Sequence, residues 1–365
     1  MDIGKEIVHI SRLIADKNYT DASAIARRAM KKLIKERPDL ANDAHTILKN
    51  MDDIALARSN QFAEAPVPVD LDSRLELLRR ELKPTIDPSF VWPEPVQSEL
   101  MVTLTERNKT EELLEQGLSP TKSLLFVGPP GVGKTVAARW LANKLNRPLL
   151  TLDLSAVMSS YLGRTGGNIR IVLDYARNSP CVLLLDEFDA IAKRRDDSGE
   201  IGELKRLVTV LLQEIDSWPS DGLLIAATNH PELLDPAVWR RFDRVVEFPN
   251  PSIYEIKILL NNLLGEDFYE KNKGLVESLA IIYLGKSFSE ITRLINLIRK
   301  SSLINSIELK LLLENTIQNS LKDLDKDYRI QLISNLIDSG YSERSACEIV
   351  GISRSTFRNR KLKDN

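Results

Sequence analysis

One stretch constrains this chain more than any other: Leu124-Leu-Phe-Val-Gly-Pro-Pro-Gly-Val-Gly-Lys-Thr135. Leu124 to Val127 is an apolar run that reads as a short buried strand. Gly128, Pro129, Pro130, Gly131, Val132, Gly133, Lys134 and Thr135 then satisfy the phosphate-loop pattern G-x-x-x-x-G-K-[ST], and Val136 to Leu145 continues as an amphipathic helix. Strand, glycine loop and helix are together the context that the pattern requires. Glycines let backbone N–H groups turn inward around a β-phosphate, at a helix N-terminus whose dipole favours anions. In that arrangement Lys134 reaches the β/γ oxygens and Thr135 is a ligand for Mg²⁺. A chance glycine-rich turn would not carry both flanks, so the stretch implies nucleotide binding.

Further apolar runs follow the loop. Leu149 to Leu154, Cys181 to Asp186, Leu223 to Thr228 and Arg244 to Phe248 read as strands with helices between them. Near-continuous apolar strands alternating with helices predict an α/β fold, a parallel sheet covered on both faces. The run Leu183-Leu-Leu-Asp-Glu-Phe-Asp189 places acids at the C-terminal end of a strand, the edge where ligands sit in such sheets. Asp186 there would hold Mg²⁺, directly or through water, and Glu187 would polarise an attacking water. Asn229 ends the next strand, in position to orient that water or touch a γ-phosphate.

Leu234-Asp-Pro-Ala-Val-Trp-Arg-Arg-Phe-Asp243 comes next, and with it the run from about Ser123 to Lys300 resembles the AAA family of ATPases in the narrow sense. The resemblance implies ATP hydrolysis with Mg²⁺ and a ring, most simply a homo-hexamer. It implies that Asn229 is the first sensor and that Arg240 and Arg241 are arginine fingers acting on a neighbouring subunit's ATP. The alternative for the pair is surface salt bridging. The two arginines are adjacent, as in the severing and vacuolar-sorting branch, and which one faces the γ-phosphate is left open. In this family an aromatic, an aliphatic and a glycine after the second strand line the central pore, and Tyr161, Leu162 and Gly163 match them. A tyrosine covering a core edge is the other reading. Gly285-Lys-Ser-Phe-Ser-Glu-Ile291 resembles the start of the family's lid, with Ser289 where wider relatives carry a sensor arginine. Arg293, one turn later, is assigned no role. Phe90 to Trp92 lie where relatives touch adenine, packing being the alternative.

The organisation that follows is a P-loop AAA core with helical additions. Residues 1–60 form a three-helix domain, 61–94 a proline-punctuated linker, 95–250 the large α/β domain, 251–325 the helical lid and 326–365 a tail. Within the linker, Leu71 to Leu82 reads as a short amphipathic helix. The tail has helix-turn-helix spacing, with Ala346, Gly351, Val350, Ile352 and Phe357 as small, turn and core residues. It resembles the DNA-binding units of Fis-like regulators and some transposases. Ser353, Arg354, Ser355, Arg358 and Asn359 would then face a major groove, with Arg360 and Lys361 for phosphates. A tail that docks a partner or a neighbouring subunit is the alternative.

Composition narrows the setting. A net charge of -2 over 365 residues argues against a chain that coats nucleic acid throughout. Cys181 and Cys347 are its two cysteines, which predicts no disulfide framework and fits a reducing cytoplasm. Neither a signal-peptide pattern nor an apolar run approaching the ~20 residues of a membrane span is present. His9, His45 and His230 are isolated from one another, and no zinc pattern occurs. The sequence therefore predicts a cytoplasmic ring ATPase that threads protein substrates past Tyr161, with a separate protease as a possible partner. The rival is a DNA-directed ATPase serving transposition, replication or transcription. The phosphate loop and polymerase-contacting loop of enhancer-binding activators are both absent, which disfavours the transcriptional version. The arginine pair argues against a metabolic kinase.

Overall fold

In the computed structural model, the described residues are 7–8, 10–12, 14, 19–36, 40–48, 67–69, 76–86, 90–154, 165–190, 201–320, 326–338 and 340–361. They belong to two compact bodies. One lies within residues 1–86, 95–128 and 134–247, the other within 87–94, 129–133 and 248–365.

The first body is built on six strands: β1 (Arg79–Glu81), β2 (Ser123–Val127), β3 (Leu149–Asp153), β4 (Val182–Asp186), β5 (Leu223–Thr228) and β6 (Arg244–Glu247). Their order is β1-β3-β4-β5-β2-β6, with β1 antiparallel to β3 and every other pair parallel. Every residue of β2 and β5 is buried, as are the first four of β4. Such strands have no polar face to show to water and need cover on both sides. Helices α1 (Tyr19–Glu36), α2 (Glu94–Asn108), α3 (Thr110–Glu115), α4 (Lys134–Lys144), α5 (Thr165–Arg177), α6 (Ile201–Asp216) and α7 (Pro236–Trp239) belong with this sheet in the chain. Ile169, Val172 and Leu173 of α5 and Leu211 and Ile215 of α6 pack with Leu125, Leu183 and Leu224 in one core. Each such side chain contributes about 1.5–3 kcal/mol through the apolar surface it removes from water.

Register sets up the site. Val127 pairs with Thr228, and Leu185 with Ala226, so β2, β5 and β4 end almost level. Gly128, Asn229 and Asp186 therefore emerge side by side along one sheet edge.

Residues 79–81, expected as part of a helix, are instead the edge strand β1. Tertiary pairing overrides the local periodicity here. The chain takes up the free edge of β3, and Glu81 accepts from Arg139 Nε and NH2 of α4 at 3.0–3.2 Å while Arg80 donates to the Tyr175 hydroxyl at 3.1 Å. At the opposite edge Arg244 of β6 binds Glu99, Glu106 and Thr121 at 2.8–3.2 Å. Burial opposes the Glu106 charge, but hydrogen bonds from Thr121, then Arg244, outweigh it and hold that carboxyl below its usual range. The sequence reading also missed Arg107. It is buried in α2 and donates to the carbonyls of Ser220 (2.8 Å) and Gly222, and burial lowers its pKa to about 9.

The second body is helical: α8 (Ile253–Leu264), α9 (Glu266–Lys271), α10 (Lys273–Ile282), α11 (Phe288–Asn305), α12 (Leu309–Ser320), α13 (Lys326–Asp338), α14 (Glu343–Val350) and α15 (Arg354–Lys361). A capping box opens α8: the Ser252 hydroxyl accepts from Tyr254 N and the Glu255 carboxylate accepts from Ser252 N. These helices share one hydrophobic core, in which Ile291 of α11, Leu313 of α12, Leu336 of α13, Val350 of α14 and Phe357 of α15 all take part. Removing the Phe357 ring should cost about 3–5 kcal/mol. Because the core is common, Phe357→Ala should speed amide hydrogen exchange in α10 and α12 as well as in α13–α15. Exchange that changed in the last three helices alone would show the tail folding independently.

Candidate nucleotide site

The conformation of the phosphate loop depends on its glycines. Gly131 and Gly133 have φ of +80° and +98°, a region side chains disfavour. Space forbids a side chain as well. A Cβ on Gly133 would lie 2.4 Å from the Phe90 ring, and one on Gly131 would lie 2.7 Å from Ser287 Oγ. Phe90 itself stacks against Trp92 and Phe288, with ring centroids 5.0 Å apart in both cases. Phe90 thus packs on the loop, and Trp92 is buried. Ser289, in the first turn of α11, donates its N–H to Gly131 O at 3.1 Å.

At the end of the loop stands Lys134, 8 % exposed. Its ammonium donates to Gly128 O at 2.5 Å and to Asn229 Oδ1 at 2.8 Å. Burial lowers its pKa to about 8, against the opposing pull of Asp186 and then Asp189. Thr135 Oγ1 lies 3.4 Å from Asp186 Oδ2, so the two oxygens assigned to Mg²⁺ are neighbours. Burial raises the Asp186 pKa, partly offset by the Glu187 N–H, which its Oδ1 accepts at 3.0 Å. A half-buried carboxylate with its charge so disfavoured is suited to a cation.

Glu187 has φ of +53°, rare for a residue with a side chain, and it is exposed. The turn is held there from both sides, since Phe188 N donates to Ala227 O at 2.8 Å and Ala190 N to Glu187 O at 2.9 Å. Asp189 is the organiser that the sequence reading did not single out. Its buried Oδ1 accepts from Thr228 Oγ1 (3.1 Å) and Asn229 N (3.3 Å), joining the end of β4 to the end of β5. Its signal was present as the last acid of Asp186-Glu-Phe-Asp189.

The arginine pair lies between two anchors. Asp235 caps α7 by accepting from Ala237 N at 2.8 Å, and Phe242 packs edge-on against Phe188 with centroids 5.9 Å apart. Asp243 Oδ2 accepts from Lys122 N and Ser123 N at 2.8 and 3.0 Å, tying the turn to the start of β2. Arg241 pairs with Asp216 of α6. Arg240 is exposed and has no ion-pair partner among the described residues. Tyr161, Leu162 and Gly163 lie outside the described residues. His230, on the loop after β5, has Nδ1 3.0 Å from Glu232 Oε1.

Residues 124–250 match the profile of the ATPase family associated with various cellular activities (AAA). The chain carries an AAA ATPase domain. It is 42% identical over 198 residues to an uncharacterized AAA family ATPase of Sinorhizobium fredii, covering 53% of this chain and 58% of that one. It is 37% identical over 192 residues to the peroxisomal ATPase pex6 of Schizosaccharomyces pombe, covering 48% and 20%. It is 38% identical over 152 residues to the proteasome-activating nucleotidase 1 of Haloferax volcanii, covering 40% and 37%. The match thus spans little more than half of the first relative and less of the other two. The residues of the AAA domain fit a nucleotide with its metal: a cradle with no room for a Cβ, a buried ammonium, and Thr135 beside Asp186.

Two measurements test this geometry. Gly133→Ala should weaken ATP binding at least about tenfold, since the new methyl meets both Phe90 and an unfavourable φ; unchanged affinity would mean the cradle is not used. Because an anion retains the Lys134 proton while the free loop releases it near pH 8, ATP affinity should be full below that pH and fall as pH rises through it. A flat profile from pH 7 to 10 would contradict the assignment.

Proposed function

We propose that this AAA domain hydrolyses ATP and that the assembled ring uses the energy to remodel protein substrates. The reading rests on one juxtaposition: Lys134 donating to Asn229, Thr135 beside Asp186, and the outward carboxylate of Glu187, all at one sheet edge. Lys134 would bind the β/γ-phosphates, moving from Gly128 O to ligand oxygen at little cost because its position is already fixed. Mg²⁺, held by Thr135 and Asp186, would neutralise charge on the phosphates. Glu187 would take a proton from the attacking water as general base. Asn229, released from Lys134 when phosphate replaces it, would orient that water.

Arg240 supports a ring. An exposed arginine with no partner among the described residues, anchored on either side by Asp235 and by Phe242 with Asp243, is built to reach another molecule. Arg241 is engaged with Asp216 and serves to hold the turn. Arg240 would therefore be the finger, acting on the ATP of a neighbouring copy in a closed ring, most simply a hexamer. Tyr161, Leu162 and Gly163 would line its pore and grip the threaded chain. Two relatives bear names tied to the peroxisome and to proteasome activation, which favours protein remodelling and makes a separate protease a reasonable partner.

Glu187→Gln should retain ATP and lower turnover by about 10²–10⁴. Arg240→Ala should lower it by about 10³ in the assembled protein, while Arg241→Ala should cost far less. Equal losses in steady-state ATPase assays would reject the division of labour between the two arginines. Tyr161→Ala should spare basal ATPase and stop substrate processing; processing at the wild-type rate would remove the pore-loop role.

A further inference from the structure

Thr228, the last residue of β5, carries a hydroxyl that the strand itself does not need. The residue is fully buried, and valine would suit a buried strand end equally well in shape and β propensity. A hydroxyl in such a place is unfavourable unless it is hydrogen-bonded. Thr228 meets that condition twice: its Oγ1 donates to Asp189 Oδ1 at 3.1 Å and accepts from His230 N at 3.0 Å. The same oxygen of Asp189, itself buried, accepts from Asn229 N at 3.3 Å. A hydroxyl has one proton to give, so the direction of the chain is set, from His230 N–H to the Thr228 oxygen and from the Thr228 proton to the Asp189 carboxylate.

The two branches of this chain bracket one residue. The peptide before Asn229 Cα is held through its N–H by Asp189, and the peptide after it is held through His230 N–H by Thr228. Peptide groups are rigid planes, so anchoring both of them fixes φ and ψ of Asn229. The rotamers open to a side chain depend on those two angles. The Asn229 amide is thereby aimed at Lys134, whose ammonium donates to its Oδ1 at 2.8 Å. Asp189 is held in turn, because Phe188 N donates to Ala227 O at 2.8 Å and Ala190 N to Glu187 O at 2.9 Å on either side of it.

We propose that Thr228, with Asp189 as its acceptor, is a positioning residue for ATP hydrolysis that acts through Asn229. The role of Asn229 rests on the functional reading above. An amide whose backbone is already fixed needs no ordering when the attacking water must be oriented, so the pair contributes to turnover more than to binding. The Asp189 charge also acts on Lys134, which makes Thr228 the cleaner place to test the idea.

The test uses the full chain, with steady-state ATPase assays for kcat and KM and calorimetric titration for the ATP Kd. Thr228→Val removes the hydroxyl at nearly constant shape and should lower kcat about tenfold or more while changing Kd less than about twofold. Thr228→Ala, which sets no methyl against the Asp189 carboxylate, should repeat both results. Thr228→Ser keeps the hydroxyl and should restore kcat to within about threefold of wild type. In an Asn229→Ala background, itself slow, Thr228→Val should cost nothing further, because the group it serves is gone. Wild-type kcat in both Thr228→Val and Thr228→Ala would overturn the proposal. So would a loss in Thr228→Ser equal to theirs, a loss of ATP affinity matching the loss of kcat, or a loss that multiplies with that of Asn229→Ala; each of these leaves the reading of Asn229 standing. Wild-type kcat in Asn229→Ala would overturn that reading and the proposal together.

Discussion

The site depends on where one ammonium is held. Lys134 is buried, and an unpaired buried charge is costly, so the fold must offer it oxygen. It does so with Gly128 O from the loop's own first residue and Asn229 Oδ1 from the end of β5. Those two contacts close the phosphate loop and bind it to the neighbouring strand. They exist because β2 lies between β5 and β6, so residues about a hundred positions apart in sequence share one edge. The lowered pKa of Lys134 records what holding the charge there costs, and an anionic ligand would reverse it.

A second level of support surrounds that centre. Asp189 joins the turn after β4 to the backbone of Asn229, while Phe242 against Phe188 joins the arginine turn to the same region. Asp243 attaches that turn to the start of β2. None of these groups is assigned to a phosphate. Their effect is positional: they place Glu187 and Arg240 outward on a framework whose backbone is already hydrogen-bonded. Groups fixed before the ligand arrives need no reorganisation later, and this is how electrostatic catalysis gains most.

The second body brings together segments that sequence patterning separates. Phe90, Phe288 and Ser287 close around the loop glycines, and the helices that follow share one core to the end of α15. A tail folded into that core cannot act as a loose appendage. Its basic face belongs to the same packed unit that contacts Gly131.

How much of this was legible beforehand follows from the range of the forces involved. Strand, glycine loop and helix, the acids Asp186 and Glu187, and the burial of β2, β4 and β5 follow from local spacing and hydrophobic runs, so the sequence by itself determined the fold class and which residues are the candidates for holding phosphate. The helix expected near residues 79–81 became β1 because the free edge of β3 offered backbone hydrogen bonds that local periodicity does not reveal. The organising roles of Asp243 and Arg107 were likewise invisible, since each depends on a partner about 110 to 120 residues away. The distinction between Arg240 and Arg241 could not be read from adjacent, chemically identical residues. Only the tertiary structure decided which of the two is ion-paired, by bringing Asp216 within reach of Arg241, because ion pairing depends on distance in space and not on position in the chain.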